Sequence, residues 1–499
     1  MNILQAFDDA IQHHQSGRLA EAEAIYRQIL AVRPRHGGTL HLLGIIAHQL
    51  GKNEVAVDLI SQSIALEPGF ADFHCNLGNA LLDLGRVDEA TAEYRRAIQI
   101  QPGLPKAHNN LGNALSENGK LEDATASYRQ AIAVYSRAIT LKPDLAEAHT
   151  NLGTALGDKG RLDEAIAAHR QAIALKPDFP DAHHNMGLAM LLHGKFLEGW
   201  EEHEWRWKCR DFARLPRNFT QPQWDGGPIE GRTILLQAEQ GIGDAIQFIR
   251  YLPLVAQRGG RIIIQCQPQL KRLFQVMVPD LTVLEGSQPL PTFDTHLPLL
   301  SLSRIFATDL ASIPQNVPYL HAGTENAAIW RNRLKTCSVS LKVGLVWAGN
   351  PAFKTDRLRS PRHLSLYAPL GRVEGVQFFS LQKGEAASQA RTPPAGMTLH
   401  DWTDELRDFA DTAALAENLD LIITSDTSMA HLAGAMGKRV WVMLPFSADW
   451  RWLRDRSDSP WYPTMRLFRQ RRPAAWEPVV DEVRGELEEL VRSRGWSGS

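Results

Sequence analysis

The four cysteines of this sequence, Cys75, Cys209, Cys266 and Cys337, stand far apart and form no CxxC pair. That spacing argues against a disulfide framework or a zinc ribbon and for a reduced, cytoplasmic setting. No run of about 18 apolar residues occurs, and the opening stretch MNILQAFDDAIQHHQSGRLAEAE carries no signal-peptide core. Neither a membrane span nor the usual secretory route is therefore expected. Charge of one sign is also missing: 54 basic residues against 56 acidic ones leave no global field for nucleic acid or an anionic membrane surface. His363, His400 and His431 have no HExxH-like spacing, so no metal site is expected.

What the chain has instead is length and periodicity. Its 499 residues exceed what one core can organise, so two or three domains are expected. In the first part the period is 34. Pro34, Pro68 and Pro102 are spaced by it, as are Pro143 and Pro177, and the glycines Gly44, Gly78, Gly112 and Gly17, Gly51, Gly85 keep the same step. Each unit reads as helix, glycine turn, helix and proline-marked loop, with NLGNALLDLGRVDEATAEYRRAIQIQP the clearest copy. This pattern resembles the tetratricopeptide repeat. About six units are expected over residues 1–211, closing on the divergent segment WEEHEWRW, which caps the array against the next domain. Tryptophans 200, 205, 207 and 224 are expected to glue the last repeat to that domain. The step from Pro102 to Pro143 is 34 plus 7, and Tyr128, Ala131 and Ile132 recur as Tyr135, Ala138 and Ile139. Two extra turns near 129–140 keep the apolar face nearly in place, so the second helix of that unit should be longer.

Asn76, Asn110, Asn151 and Asn185 recur at one position of the first helices. An amide donates and accepts at once, which suits an extended peptide backbone, and the pattern resembles the repeat domain of O-linked N-acetylglucosamine transferase, which implies a polypeptide acceptor there. The alternative is that asparagine is simply common at this repeat position, and on the sequence alone that plainer reading has the edge.

From Phe212 the period is lost, and LPRNFTQPQWDGGPIEG reads as a linker over 212–231. A βαβ unit comes next: strand Thr233–Ala238, the tight turn GlyIleGlyAsp at 241–244, helix Ala245–Gln257 bent by Pro253, and strand 261–265. Asp244 stands at the mouth of that helix. Ile246 occupies the place of the third glycine of GxGxxG, so this is no dinucleotide fingerprint. A second series starts at KVGLVWAG, continues through VQFFSL at 376–381, and reaches DLIITSDTSMAHLAGAMGKRVWVML at 420–444. There a buried strand turns at Ser425–Ser428 into a helix whose inward stripe is Met429, Leu432, Ala433 and Met436. Thr427 and Ser428 lie where helix N–H groups attract a phosphate. An ordinary αβ turn with a polar cap uses the same residue types. The arginines 451, 454, 456, 466, 469, 471 and 472 read as a solvated or salt-bridged face, with a grip on acceptor or diphosphate as the alternative.

The stretch from about Arg232 to Leu467 resembles glycosyltransferase family 9, the heptosyltransferase-like family, through IleGlyAsp at 242–244, AspThrSerMetAlaHis at 426–431 and, more weakly, LysGlyGlu at 383–385. The resemblance implies an all-α tetratricopeptide superhelix followed by an α/β GT-B-type pair of Rossmann-like domains. These would be residues 232–325, carrying the base and the acceptor, and residues 341–499, holding the nucleotide sugar and a C-terminal helical tail. It implies Asp244 as general base. It also implies Asp426, Thr427, Ser428, Met429, His431, Lys383 and Glu385 around the donor, with Lys354, Arg357 or Arg359 of GNPAFKTDRLRS as the cationic phosphate partner. Ser428 replaces the family's turn glycine, and the preceding repeats set the chain apart from the heptosyltransferases. No DxD pair exists in the sequence, so a metal-bridged diphosphate is not expected. The implied activity is inverting, metal-independent glycosyl transfer from a nucleotide sugar, a substrate rather than a cofactor, to a polypeptide or glycan, with protein partners on the repeats. A non-catalytic repeat scaffold and a surface-glycan or lipopolysaccharide glycosyltransferase remain the alternatives.

Overall fold

The computed structural model describes residues 2–117, 121–141, 144, 146–209, 212, 219–239, 241–276, 281–286, 288–337, 341–350, 356–472 and 475–494. It divides into two compact units, Met1–Lys176 and Pro177–Ser499. Among the described residues no helix is long and apolar enough to cross a membrane.

The first unit is a series of helix pairs. First helices Ile3–Gln15, Gly37–Gln49, Ala71–Asp83, Pro105–Glu117 and Ala146–Asp158 have 13 residues each. Second helices Leu19–Val32, Asn53–Leu66, Val87–Ile100 and Leu162–Leu175 have 14. The exception is Leu121–Leu141, whose 21 residues exceed the others by seven, the length of the inserted stretch. The two classes of helix are buried differently. Val87–Ile100 buries one stripe, Ala90, Thr91, Tyr94 and Ala97, as a helix with one side in water does. Ala71–Asp83 buries residues on several sides, including Phe73, Cys75, Leu77 and Leu81, because it lies between helices. Two glycine positions make the pairing possible. Gly17, Gly51, Gly85 and Gly160 hold φ between 71° and 76°, a left-handed turn that costs glycine little. At Gly78 an added Cβ would lie 2.6 Å from the Tyr94 ring, so the two helices of that pair approach closely only because the side chain is missing.

In the second unit the chain begins with Pro180–Leu192 and Phe196–His203. These are the sixth pair of the 34-residue series, and the compact-unit boundary falls before them rather than at 211. The reason is packing. Eight residues are too few for a helix to hold itself in water, but Phe196 and Trp200 are buried in the core that the two sheets share. Trp200 Nε1 donates to the Thr308 carbonyl (2.8 Å), and its ring meets Phe248 and Trp450 edge-on. Trp205 instead stacks on His183 within the pair, 3.8 Å between centroids. Arg206, fully buried, joins Glu204, Glu239 and Ser301. The stretch read as a linker is likewise drawn into the fold at its end: Trp224 N–H donates to the His296 carbonyl, and Ile229 is buried.

Two parallel sheets complete this unit. The first contains β1 (Thr233–Gln237), β2 (Arg261–Cys266), β3 (Thr282–Glu285) and β4 (Thr295–Pro298) in the order β3-β2-β1-β4. The second contains β5 (Leu341–Val346), β6 (Val376–Ser380), β7 (Leu399–His400), β8 (Leu421–Ser425), β9 (Val440–Leu444) and β10 (Met465–Arg469) in the order β10-β9-β8-β5-β6-β7. Counted within itself, the second sheet has the doubly wound order 3-2-1-4-5-6 reversed. Its strands are apolar on both faces. Leu421, Ile423, Trp441 and Met443 pack with helix Glu477–Ser493, while Ile422, Val440, Val442 and Leu444 enter the core shared with Leu236 and Ile264 of the first sheet. That two-sided burial is why these strands read as continuous hydrophobic runs.

Gly78→Ala should lower the stability of the repeat unit by about 1–3 kcal/mol through overpacking. Gly103→Ala, with nothing within 4 Å of the new Cβ, should be near neutral; chemical denaturation followed by circular dichroism compares the two.

Candidate functional site

In doubly wound sheets a crevice opens where the strand order reverses, at the carboxyl ends of the strands. In the first sheet that point lies between β1 and β4, and the helix after β1 carries Asp244. In the second it lies between β5 and β8, and the turn after β8 carries Asp426, Thr427 and Ser428. The two helix starts meet directly. A Cβ on Gly243 would stand 3.5 Å from the Ser428 Cα and 2.7 Å from the His431 ring, so the gap between these two residues has no room for a saccharide. What stays partly open at this junction is the rim made by Gly241–Asp244, Thr427 and Ser428.

The helix expected over 245–257 starts earlier and is broken. It runs Ile242–Phe248, tightens to a 3-10 turn at Ile249–Tyr251, and resumes as Leu252–Ala256, because Pro253 has no N–H for a continuous ladder. Asp244 thereby falls in the first turn, where its Oδ2 accepts from the Gly241 N–H at 2.9 Å. Its Oδ1 accepts from Arg451 Nη2. The Arg451 Nη1 reaches Asp449 (2.8 Å) and its Nε reaches Gln247 Oε1 (2.7 Å). Side-chain exposure is 9% for Arg451 and 17% for Asp244. Burial raises the Asp244 carboxyl above the usual carboxylate range, with Arg451 opposing. Burial also acts to raise Asp449, but Arg451 and Arg359 outweigh it and hold this carboxyl low.

On the other side Arg359 donates twice to Asp426 Oδ2, from Nη2 at 2.5 Å and Nε at 3.2 Å. Asp426 is 2% exposed and Arg359 36%, so part of the arginine side chain stays open to solvent. Asp426 raises the pKa of Arg359 above the usual guanidinium value. Thr427 caps helix Ser428–Ala435. Its Oγ1 accepts from the Met429 N–H (3.3 Å) and its carbonyl from the Ala430 N–H (3.0 Å), so Thr427 consumes donors that the sequence reading left for a ligand. The Ser428 amide remains at the helix start.

The other residues expected around the donor have the following surroundings. Met429 is a core residue, as its place on the apolar stripe requires. Lys383 donates from Nζ to the Thr403 and Leu406 carbonyls at 2.7 and 3.0 Å and thus pins a loop. Glu385 is exposed just beyond β6. Lys354 and the Arg357 side chain lie outside the described residues. Of the asparagines, Asn76 and Asn110 bond within the array, Asn76 Nδ2 to His41 Nε2 (2.9 Å) and Asn110 Nδ2 to Asn79 Oδ1 (2.8 Å), which spends amide donors meant for a peptide on neighbouring repeats. Asn151 is exposed and Asn185 half-buried.

Sequence reasoning missed Gln382, whose side chain takes the Trp347 and Ala348 N–H groups at 2.9 and 2.8 Å and ties β6 to the loop after β5. Arg451 belongs to the arginines expected to form a solvated or salt-bridged face. Arg466 and Arg456 do form surface ion pairs, with Glu486 and Asp458, but Arg451 is buried. The available signal was AspTrpArgTrp at 449–452, a charged pair alternating with tryptophans, just past the end of a buried strand.

Removing Arg451 leaves the partly buried carboxylates Asp244 and Asp449, 17% and 23% exposed, without their shared cation, and Arg451→Gln should cost about 3 kcal/mol. The loss should grow with pH. Without the cation the Asp244 carboxyl, raised by burial even in its presence, binds its proton more tightly folded than unfolded, so stability falls as pH rises from about 4 through the raised folded pKa. Urea midpoints at pH 5 and pH 8 measure the difference, and wild type should show less of it.

Models of the tetratricopeptide repeat match residues 8–28, 78–119 and 103–178. Protein FlbA of Caulobacter vibrioides is 26% identical over 328 residues, spanning 61% of this chain and 54% of FlbA. The chain thus matches about half the length of that relative. The matched share of the chain exceeds what the repeats occupy, so the likeness extends into the α/β unit. Among solved structures, TTC0263, a thermophilic TPR protein in Thermus thermophilus, is 22% identical, with 38% of this chain and 99% of that one covered and a TM-score of 0.33. MamA is 23% identical, with 34% and 94% covered and a TM-score of 0.26. The N-terminal part of the chain is a tetratricopeptide-repeat array.

Proposed function

We propose that the α/β unit is a glycosyltransferase of the GT-B type, similar to family 9, that moves a sugar from a nucleotide-sugar donor to a large acceptor, with polypeptide favoured over glycan because repeats of this kind hold protein partners. The observation that carries the reading is the meeting of two helix starts at two strand-order reversals, one bearing a carboxylate and the other an amide and an arginine. In this scheme Asp244 takes the proton of the acceptor hydroxyl as its oxygen attacks the anomeric carbon. A carboxyl raised by burial is a stronger base than one in water. The bond to the diphosphate breaks with its electrons, and the growing charge is met by the Ser428 N–H, the positive helix end and the open part of Arg359. Attack from the side opposite the leaving group inverts the anomeric carbon, and no step calls for a metal ion.

A scaffold reading has its own support. Three carboxylates, Asp244, Asp426 and Asp449, already pair with the two guanidinium groups of Arg359 and Arg451, and this is also what a retired site looks like.

Asp244→Asn should lower transfer by about 10²–10⁴-fold while leaving donor binding within a factor of a few. Thermal stabilisation across a panel of nucleotide sugars supplies the binding arm, since ligand at about 100 times its Kd adds about 2.7 kcal/mol. Equal activity in the variant excludes Asp244 as the base. Wild type stabilised by no nucleotide sugar favours the scaffold.

A further inference from the structure

We propose that Tyr462 is a positioning residue that fixes the tautomer of His431, so that the proton sits on Nε2 and this N–H donates to the diphosphate of a bound nucleotide beside the Ser428 amide. The ligand rests on the reading of the preceding subsection, whereas the tautomer rests on geometry alone.

His431 lies one turn into helix Ser428–Ala435 and is buried. Its Nδ1 is 3.0 Å from the Tyr462 hydroxyl. Which atom holds the proton is decided by the surroundings of that hydroxyl. Tyr319 Oη lies 3.5 Å away, accepts from Arg250 Nη2 at 3.2 Å and donates to the Ile246 carbonyl at 3.0 Å. A carbonyl only accepts, so the single Tyr319 proton is committed to Ile246. The Tyr462 proton then goes to the closer partner, Nδ1, and a neutral imidazole with Nδ1 accepting carries its hydrogen on Nε2. Burial and the Arg451 charge push the ring well below the ordinary imidazole range, which keeps it neutral.

The far edge of the ring faces the junction. Nε2 stands 3.4 Å from where a Cβ on Gly243 would be, next to Asp244. The ring cannot swing away. Trp452 stacks on it with centroids 5.4 Å apart and planes 24° apart. Tyr462 is itself locked, since a Cβ on Gly434 would lie 2.6 Å from its ring. Gly434 comes three residues after His431 and leaves the room that the tyrosine fills. The arrangement converts a histidine into an oriented neutral donor, which keeps its proton when an anion binds and needs no change of charge.

Nitrogen-15 labelling of histidine in the full chain reads the tautomer directly, with His431→Gln identifying the resonance. Wild type should show a protonated Nε2 and a bare Nδ1, and Tyr462→Phe should lose that fixed form. In titrations with ADP and UDP, Tyr462→Phe should bind about tenfold more weakly. His431→Gln, whose amide N–H can replace Nε2–H, should stay within about threefold of wild type. A protonated Nδ1 in wild type, or unchanged affinity in Tyr462→Phe, overturns the role of Tyr462. Wild type that binds neither nucleotide overturns the diphosphate ligand and the transferase reading together, and the tautomer measurement tells the two failures apart.

Discussion

Everything around the candidate site depends on one guanidinium. Arg451 leaves the loop after β9 and reaches back to Asp244, on a helix more than two hundred residues earlier, while holding Asp449 and Gln247 with its remaining N–H groups. A buried arginine is costly to desolvate, and only carboxylates with good geometry offset that cost. Arg451 has two. Through it the carboxyl end of the second sheet is tied to the helix that starts at the carboxyl end of the first. Without that link Asp244 would be one more N-terminal helix acid, and Ser428 one more polar residue at a helix start.

The apolar packing brings the same elements together. Leu236 and Ile264 of the first sheet, Ile422, Val440 and Leu444 of the second, and Phe196 and Trp200 of the last helix pair belong to one continuous core. Helix starts pressed together at Gly243 and Ser428 are a consequence of that shared core, and so is the narrow room left between them. What stays open is the rim, where Asp244, Thr427, Ser428 and Arg359 keep part of their surface.

Much of the fold was legible in the sequence because it is periodic. Glycine and proline at a step of 34 mark the helix pairs, and a doubled Tyr-x-x-Ala-Ile marks the long helix. Unbroken apolar runs mark strands buried on both faces. Asp244, expected as the base, and Asp426, expected beside the donor, are legible as acids in turns after strands. What the local pattern does not contain is partnership over distance. Nothing near Lys383 says that its ammonium will be consumed by two carbonyls twenty residues on, and nothing near Arg451 says that it will be buried. The sequence places Met429 both on the apolar stripe and beside the polar turn, and its position on the stripe decides for the core. The asparagine ladder shows the same limit. Asn76 and Asn110 recur as a ligand-binding set would, yet both are engaged by neighbouring repeats.

On the proposed function the two helix starts form one ligand site. Hydrogen–deuterium exchange of the backbone amides, with and without saturating nucleoside diphosphate, tests it most directly. Slowing is expected at Gly243–Asp244 and at Ser428–Met429 together, on the same ligand titration. Slowing at only one of these segments, or at neither while the ligand is bound, would contradict it.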